Sequence, residues 1–96
     1  MKPSEVLTEL EKIAKLCGVK VSYESLSSSF FSGGLCWVKG KHRIIVDKRQ
    51  GAAERVNLVA DSLSKIELGD YDDSDFSKET LSLLEGFREG NESRVS

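Results

Sequence analysis

Apolar residues recur every three or four positions near the start of the chain, and this spacing predicts a helix over residues 4–17. The residues on the shared face are Val6, Leu10, Ile13 and Cys17. Ser4 is a candidate N-terminal cap, and Gly18 is a natural C-terminal stop. Residues 19–25 then alternate apolar and polar side chains, which predicts a half-buried strand.

A β-hairpin is predicted in the middle of the chain. Two short apolar runs, residues 35–38 and 42–47, flank the tripeptide KGK, and a glycine at the centre of so short a connection favours a tight turn. The register stays open at this point. A two-residue turn places Trp37 opposite His42, whereas a three-residue turn places it opposite Arg43.

Two further helices are predicted in the second half of the chain. Over residues 51–68 the apolar positions at helical spacing are Ala52, Val56, Val59, Leu63 and Ile66. Over residues 77–89, with Ser77 or Asp75 as the cap, the clustered positions are Thr80, Leu83, Leu84 and Phe87.

The element order is therefore α-β-β-β-α-α, which predicts an α+β fold with a small antiparallel three-stranded sheet and helices packed on it. We expect a single domain over residues 1–90 and a frayed tail over residues 91–96.

Charge is unevenly distributed in this chain of 96 residues with a formal net charge of −2. Residues 39–55 carry six basic and two acidic side chains, a net of +4, and residues 56–96 carry four basic and ten acidic ones, a net of −6. This polarity favours either self-association or a charged partner, or it reflects two solvated faces. The negative total disfavours a nucleic-acid-binding protein.

The two cysteines, Cys17 and Cys36, form no C-x-x-C motif and suggest no disulfide framework. The N-terminal residues lack the apolar region of a signal peptide, and no apolar run approaches the length that crosses a membrane. We therefore expect a cytoplasmic protein with reduced thiols and no membrane partner.

The helix at residues 55–64 has the sequence RVNLVADSLS. With the preceding segments CGVKV and GLCWVKGKHRIIVD, it resembles an ImmA/IrrE-type metallopeptidase domain, whose helix typically has the sequence RFTLAHELGH. Such domains hold zinc through the two histidines and use the glutamate as general base. Arg55 and Leu58 match, but Ala60 and Ser64 replace the histidines and Asp61 replaces the glutamate. The resemblance implies a degenerate zincin-like domain without zinc or hydrolysis; the alternative is an amphipathic core helix.

No other pattern predicts a metal, a cofactor or a catalytic residue. Cys17, Cys36 and His42 are the soft ligands of the chain, and three distant ligands make a poor zinc site. The acidic stretch DYDDSDF fails as a calcium loop, because Asp75 stands where glycine is needed and Leu81 where the bidentate glutamate belongs. A Cys36–His42 pair across the hairpin is conceivable but carries no catalytic signature. We expect no enzyme, no cofactor and no bound metal.

Candidate partner-binding residues lie in the central third of the chain. Phe30 and Phe31 are adjacent aromatics in a Ser/Gly-rich loop, where they either fold back over the sheet or form an apolar contact for another chain. The other candidates are Trp37, Lys39, Lys41 and Arg43 in the predicted hairpin.

The favoured hypothesis is a non-catalytic protein-interaction or self-associating module that uses these six residues. One alternative is a small ligand-binding or enzymatic domain with a groove under the 25–34 loop. Its polar groups would be Arg55, Asp61, Cys36 and His42. A second alternative is nucleic-acid binding through the basic hairpin, with Trp37 stacked on a base.

Overall fold

The computed structural model describes residues 2–25, 33–66 and 72–93, with side chains described up to Gly90. Its elements are α1 (Pro3–Leu16), β1 (Lys20–Glu24), β2 (Gly33–Val38), β3 (Lys41–Asp47), α2 (Ala52–Ser64), a 3-10 turn (Asp73–Asp75) and α3 (Lys78–Ser93). This order confirms the predicted α+β class and the α-β-β-β-α-α sequence of elements. Within the described ranges, each helix is too short or too polar to span a bilayer.

The three strands form one sheet in the order β1-β3-β2. As predicted, β2 and β3 form an antiparallel hairpin, but β1 pairs with β3 in parallel, so the sheet is mixed rather than antiparallel throughout. The short connection between β1 and β2, residues 25–32, explains this difference. If β1 ran antiparallel to β3 it would be parallel to β2, and a parallel connection needs a dozen or more residues to return along the sheet.

The hairpin has the tighter of the two possible registers. Trp37 pairs with His42 and Val38 with Lys41, so the turn consists of two residues, Lys39 and Gly40. Both turn residues have positive φ values, +51° and +77°. This is the type I′ geometry, whose twist matches that of the flanking strands.

The core lies on one face of the sheet, under α1 and α2. Side chains alternate along a strand, so Ile44 and Val46 of β3 share this face. The helix residues that bury against them are Leu10, Ile13 and Ala14 of α1 and Val56, Val59 and Leu63 of α2. α3 adds Leu84, with Leu83 and Phe87 partly buried, as predicted. Ala52, predicted to join this face, is exposed because α2 begins there.

The N-terminal cap of α1 differs from the predicted one, whereas the start of α3 agrees with the prediction. α1 begins at Pro3, and Lys2 is its cap without a side-chain hydrogen bond, so the prediction of Ser4 as cap is wrong. Proline suits the first helical position because its fixed φ is already helical. At α3, the Ser77 side chain accepts a hydrogen bond from the Thr80 amide at 3.2 Å, as a cap does. α3 continues to Ser93, three residues into the segment expected to fray.

Glu9 of α1 binds the start of α3. Its carboxylate accepts hydrogen bonds from the Ser77 amide at 2.9 Å, the Ser77 hydroxyl at 3.0 Å and the buried Thr80 hydroxyl at 2.7 Å. These bonds, above all the one from Thr80, hold the pKa of Glu9 below its ordinary value, against an opposing effect of burial. One charged side chain therefore joins α1 to the start of α3, and the two bonded residues, Glu9 and Ser77, are 68 positions apart in the sequence.

Replacing Glu9 by glutamine is expected to lower the free energy of unfolding by about 1 kcal/mol at pH 7, since the charge-assisted hydrogen bonds become neutral and the site is partly solvated. Because the folded-state pKa is lowered, the contribution of Glu9 is present above its unfolded pKa and is lost as the pH falls through the folded value. Urea unfolding at pH 7 and pH 3, followed by circular dichroism, should show the difference shrinking in acid. Glu85→Gln, at an exposed position of α3, is the matched control; an equal loss there would contradict the role of Glu9.

Candidate interaction site

The basic residues of the hairpin converge on one pocket at the end of the sheet where β1 and β3 begin and β2 ends. The pocket has a volume of about 410 Å³. It is lined by Gly18, Lys20, Val38, Lys39, Lys41, His42 and Arg43. Three predicted binding residues, Lys39, Lys41 and Arg43, are thus brought together, and none of the described acidic residues lines the pocket. We call this feature the basic pocket.

Strand pairing places three of the cations close together. Lys20 of β1 is the register partner of Arg43 in β3, and adjacent strands lie ~4.8 Å apart. Lys41 lies two residues before Arg43 on the same sheet face, which separates their backbones by ~7 Å. Like charges at directly opposed positions destabilise a sheet. The chain thus carries a repulsion here that a bound anion would relieve.

The four cations of the basic pocket form no ion pair with any carboxylate in the described parts of the chain. Other basic side chains are engaged. Arg49 binds the buried carboxylate of Asp47 at 2.7 Å, and Lys65 pairs with Asp61 at 3.1 Å. The positive charge of the basic pocket is therefore not neutralised by any carboxylate that the structure describes.

Lys39 occupies an unfavourable backbone position at the rim of the basic pocket. Its φ of +51° is left-handed, and it is the one non-glycine residue with positive φ among those the structure describes. Asparagine followed by glycine is the preferred pair for a type I′ turn, and a long side chain gains nothing there. Backbone strain of this kind concentrates at functional sites. The lysine adds charge to the pocket at a cost in stability.

Lys39→Asn is expected to raise the free energy of unfolding by about 0.5 kcal/mol, because asparagine tolerates the left-handed conformation, and to weaken anion binding at the same time. Lys39→Gln removes the same charge without that backbone preference, so it should weaken binding with no gain in stability. Thermal unfolding and anion titration of both variants test this. Equal free energies of unfolding for the two variants would contradict the interpretation that Lys39 strains the backbone of the turn.

Trp37 and His42 form an aromatic pair beside the basic pocket. Their ring centroids are 4.5 Å apart at an interplanar angle of 79°, an edge-to-face contact. Although these two residues share the core face by register, the Trp37 side chain is 65% exposed because it lies at the end of the sheet. The Nδ1 atom of His42 is buried and has no hydrogen-bond partner in the described structure. The contact links the exposed indole to His42, which lines the basic pocket, while Lys41 and Arg43 project from the other face of the sheet.

The structure describes four of the six predicted binding residues, Trp37, Lys39, Lys41 and Arg43. Phe30 and Phe31 lie outside the described residues, so their proposed contact stays a prediction. Lys20 was missed by the sequence analysis, because it lies in a different strand and reaches the pocket only through the parallel pairing of β1 with β3. No local sequence pattern identifies Lys20 as a pocket residue, because its position depends on the order of the strands in the sheet.

Arg55, a polar group of the alternative groove hypothesis, is a structural residue. Its guanidinium lies 5.0 Å from the centre of the Tyr23 ring and donates to the carbonyls of Lys48, at 2.7 Å, and Gln50, at 3.0 Å. Tyr23 in turn donates to Glu11 at 2.7 Å, and burial with this bond raises the pKa of Tyr23. Arg55 thereby fixes the connection between β3 and α2.

The remaining groups of that hypothesis are not brought together. Cys36 is the register partner of Arg43, whereas His42 pairs with Trp37, so Cys36 and His42 project from opposite faces of the sheet. The idea of a Cys36–His42 pair across the hairpin is therefore wrong. Cys36 makes only a weak contact to the Gly34 carbonyl at 3.9 Å.

The α2 positions that resemble a zinc-peptidase helix serve the fold. Ala60 is fully buried in the core, and the Ser64 hydroxyl donates to the Asp61 carbonyl at 2.6 Å. Within residues 2–25, 33–66 and 72–93 no group of three metal-ligating side chains is arranged around a common point. The polar atoms at these positions are thus engaged within α2.

Comparison with known proteins leaves the chain without an assigned family: no protein-family model, no curated protein and no solved structure matches it. The resemblance to an ImmA/IrrE-type domain stays a prediction. The functional argument consequently depends on the geometry of the basic pocket.

Proposed function

We propose that this protein is a non-catalytic interaction module that binds an acidic segment of a partner protein on the basic pocket, and that the segment reaches past the pocket residue His42 to the Trp37 ring. The observation that carries the proposal is the convergence of Lys20, Lys39, Lys41 and Arg43 on one pocket that no described carboxylate lines. Such a charged surface speeds association with an oppositely charged partner and selects against wrong ones.

Trp37 supplies the apolar part of the proposed interface. Residues that dominate protein interfaces are enriched in tryptophan and arginine, and this hairpin carries one of each, Trp37 on one sheet face and Arg43 on the other. The neighbouring Val38 side chain is also exposed and lines the pocket. An acidic segment with one apolar side chain that crosses the end of the sheet past His42 would contact the cations on one face and the indole on the other.

Two observations support a binding role rather than catalysis. The Cys36 and His42 side chains lie on opposite sheet faces, and Arg55 is engaged with Tyr23 and two carbonyls. We place the protein in the cytoplasm, where the thiols of Cys17 and Cys36 would stay reduced. A degenerate zincin-like ancestry for this module is part of the same proposal.

The double variant Lys41→Glu/Arg43→Glu tests the proposal with a fluorescein-labelled octaglutamate peptide at low salt. Reversing two pocket charges is expected to weaken binding about 100-fold, which corresponds to ~2.7 kcal/mol. Fluorescence anisotropy measures the affinity, and circular dichroism verifies that the variant is folded. Raising the salt concentration should also weaken binding of the parent protein.

The matched control is Lys48→Glu, which makes the same type of charge change just after the opposite end of β3. It should alter the affinity less than threefold. Equal effects of the pocket and control variants, or no peptide binding at low salt, would overturn the proposal. Light scattering across salt concentrations tests for self-association. A salt-sensitive dimer that the double variant does not form would show that the partner is a second copy of this chain rather than a different protein.

A further inference from the structure

The chemistry of the basic pocket indicates which acidic group fits it. We propose that the group bound there is a phosphomonoester dianion on a side chain of the partner protein, which makes the module a reader of phosphorylation. This inference rests on the proposed function and specifies the ligand of the same pocket.

The first argument is charge density. Four cationic side chains line a single pocket, and no described carboxylate offsets them. One carboxylate would neutralise one of these charges. A phosphomonoester carries a charge of about −1.5 to −2 at pH 7 and presents three strong acceptor oxygens on one atom. A compact dianion matches this concentration of positive charge better than a single glutamate or aspartate.

The second argument is the arrangement of the donors. Lys20 and Arg43 are paired across adjacent strands, and Lys41 precedes Arg43 by two positions on the same face. The planar guanidinium of arginine matches two phosphate oxygens at once, while each lysine offers a compact charge on a flexible stem. Three donors of this kind that start ~5 to 7 Å apart can converge on one tetrahedral group.

The third argument concerns the partner class. Nucleic acids spread single negative charges along a strand, so their binding surfaces are stripes or grooves with many basic residues. Here the cations meet at one pocket, and the chain has a net charge of −2. The pocket volume of about 410 Å³ leaves room for one phosphoryl group and the side chain that carries it. A phosphorylated protein segment suits this shape better than a nucleic-acid backbone.

The test compares three capped tripeptides, Gly-phosphoserine-Gly, Gly-sulfoserine-Gly and Gly-Glu-Gly, at constant ionic strength. Trp37 is the single tryptophan of the chain and its ring contacts His42, which lines the pocket, so we expect its fluorescence to report binding. At pH 7.5 we expect phosphoserine to bind at least fivefold more tightly than either control peptide. Because the second phosphate pKa is about 6, lowering the pH from 7.5 to 5.5 should reduce its affinity about fourfold.

The sulfate ester controls for any effect of pH on the protein itself. It keeps one negative charge over this range, so its affinity reports any change in the protein alone. The ratio of phosphoserine to sulfoserine affinity should therefore fall towards one at pH 5.5. Arg43→Gln should weaken phosphoserine binding at least tenfold, while Lys48→Gln at the far end of β3 should leave it within twofold.

The outcomes separate this inference from the proposed function. Binding of octaglutamate without any preference for phosphoserine would overturn the phosphate assignment and leave the interaction module in place. Tighter binding of a twelve-nucleotide single-stranded DNA than of the phosphopeptide would reassign the pocket to phosphodiesters. Absence of binding to all of these probes would overturn both proposals.

Discussion

Replacing Gly33 by alanine is expected to lower the free energy of unfolding by about 3 kcal/mol or more. Gly33 opens β2 with a φ of +124°, a conformation that side-chain-bearing residues rarely adopt. An added Cβ would overlap the carbonyl oxygen of Ile45 and approach the Leu58 Cδ2 atom to 2.9 Å. The Ile45 carbonyl belongs to the central strand and has no room to retreat. For a domain of this size, with a total stability of ~5 to 14 kcal/mol, a loss of about 3 kcal/mol is between about a fifth and three fifths of the total.

Gly86→Ala is the matched control, because it makes the same chemical change in an open place. Gly86 lies inside α3, and a Cβ there would meet no atom within 4 Å. Alanine is favoured over glycine in a helix by about 1 kcal/mol, so this variant should be more stable than the parent. Urea unfolding of both variants should show a lower free energy of unfolding for Gly33→Ala and a higher one for Gly86→Ala. A Gly33→Ala protein within 1 kcal/mol of the parent would contradict the close approach of β2 to β3.

Leu63→Ala should cost about 3 kcal/mol, within the range of about 2–5 kcal/mol that buried leucines show. Leu63 is completely buried in α2, the helix that contacts both the sheet and the other two helices. Truncation removes apolar contacts and leaves a cavity that the surrounding elements can only partly fill. The measurement is chemical unfolding followed by both circular dichroism and Trp37 fluorescence.

Leu16→Ala is the corresponding control on the surface. The Leu16 side chain is 62% exposed at the end of α1, so its truncation should change stability by less than ~0.5 kcal/mol. Similar losses at Leu16 and Leu63 would mean that the buried core is not formed as described.

The helices and strands were predictable because each has a periodic apolar pattern that is local in sequence. The spacing of Leu10 and Ile13, and that of Val59 and Leu63, identifies the buried helix faces, and these residues do form the core. The ends of the helices were less predictable. At α1 the proline at position 3 starts the helix earlier than the serine that follows it.

The parallel pairing of β1 with β3 was not predicted, since periodicity reports which residues are buried and not which strands are neighbours. The same limit applies to the basic pocket. The hairpin cations Lys39, Lys41 and Arg43 are close in sequence and were identified together, whereas Lys20 joins them only through the sheet. The exposed state of Trp37 also depends on where the helices end over the sheet, which no local pattern encodes.

The sheet order has a consequence for how the protein folds. β3 is the central strand but the last of the three in the sequence, so β1 has no partner among the described strands until β3 exists. The β2–β3 hairpin is local and forms within microseconds, whereas β1 must close a loop of more than twenty residues. We therefore expect Lys20 to reach Arg43 only after the hairpin has formed. Anion binding that requires both residues would report, in a refolding experiment, the moment at which the sheet is completed.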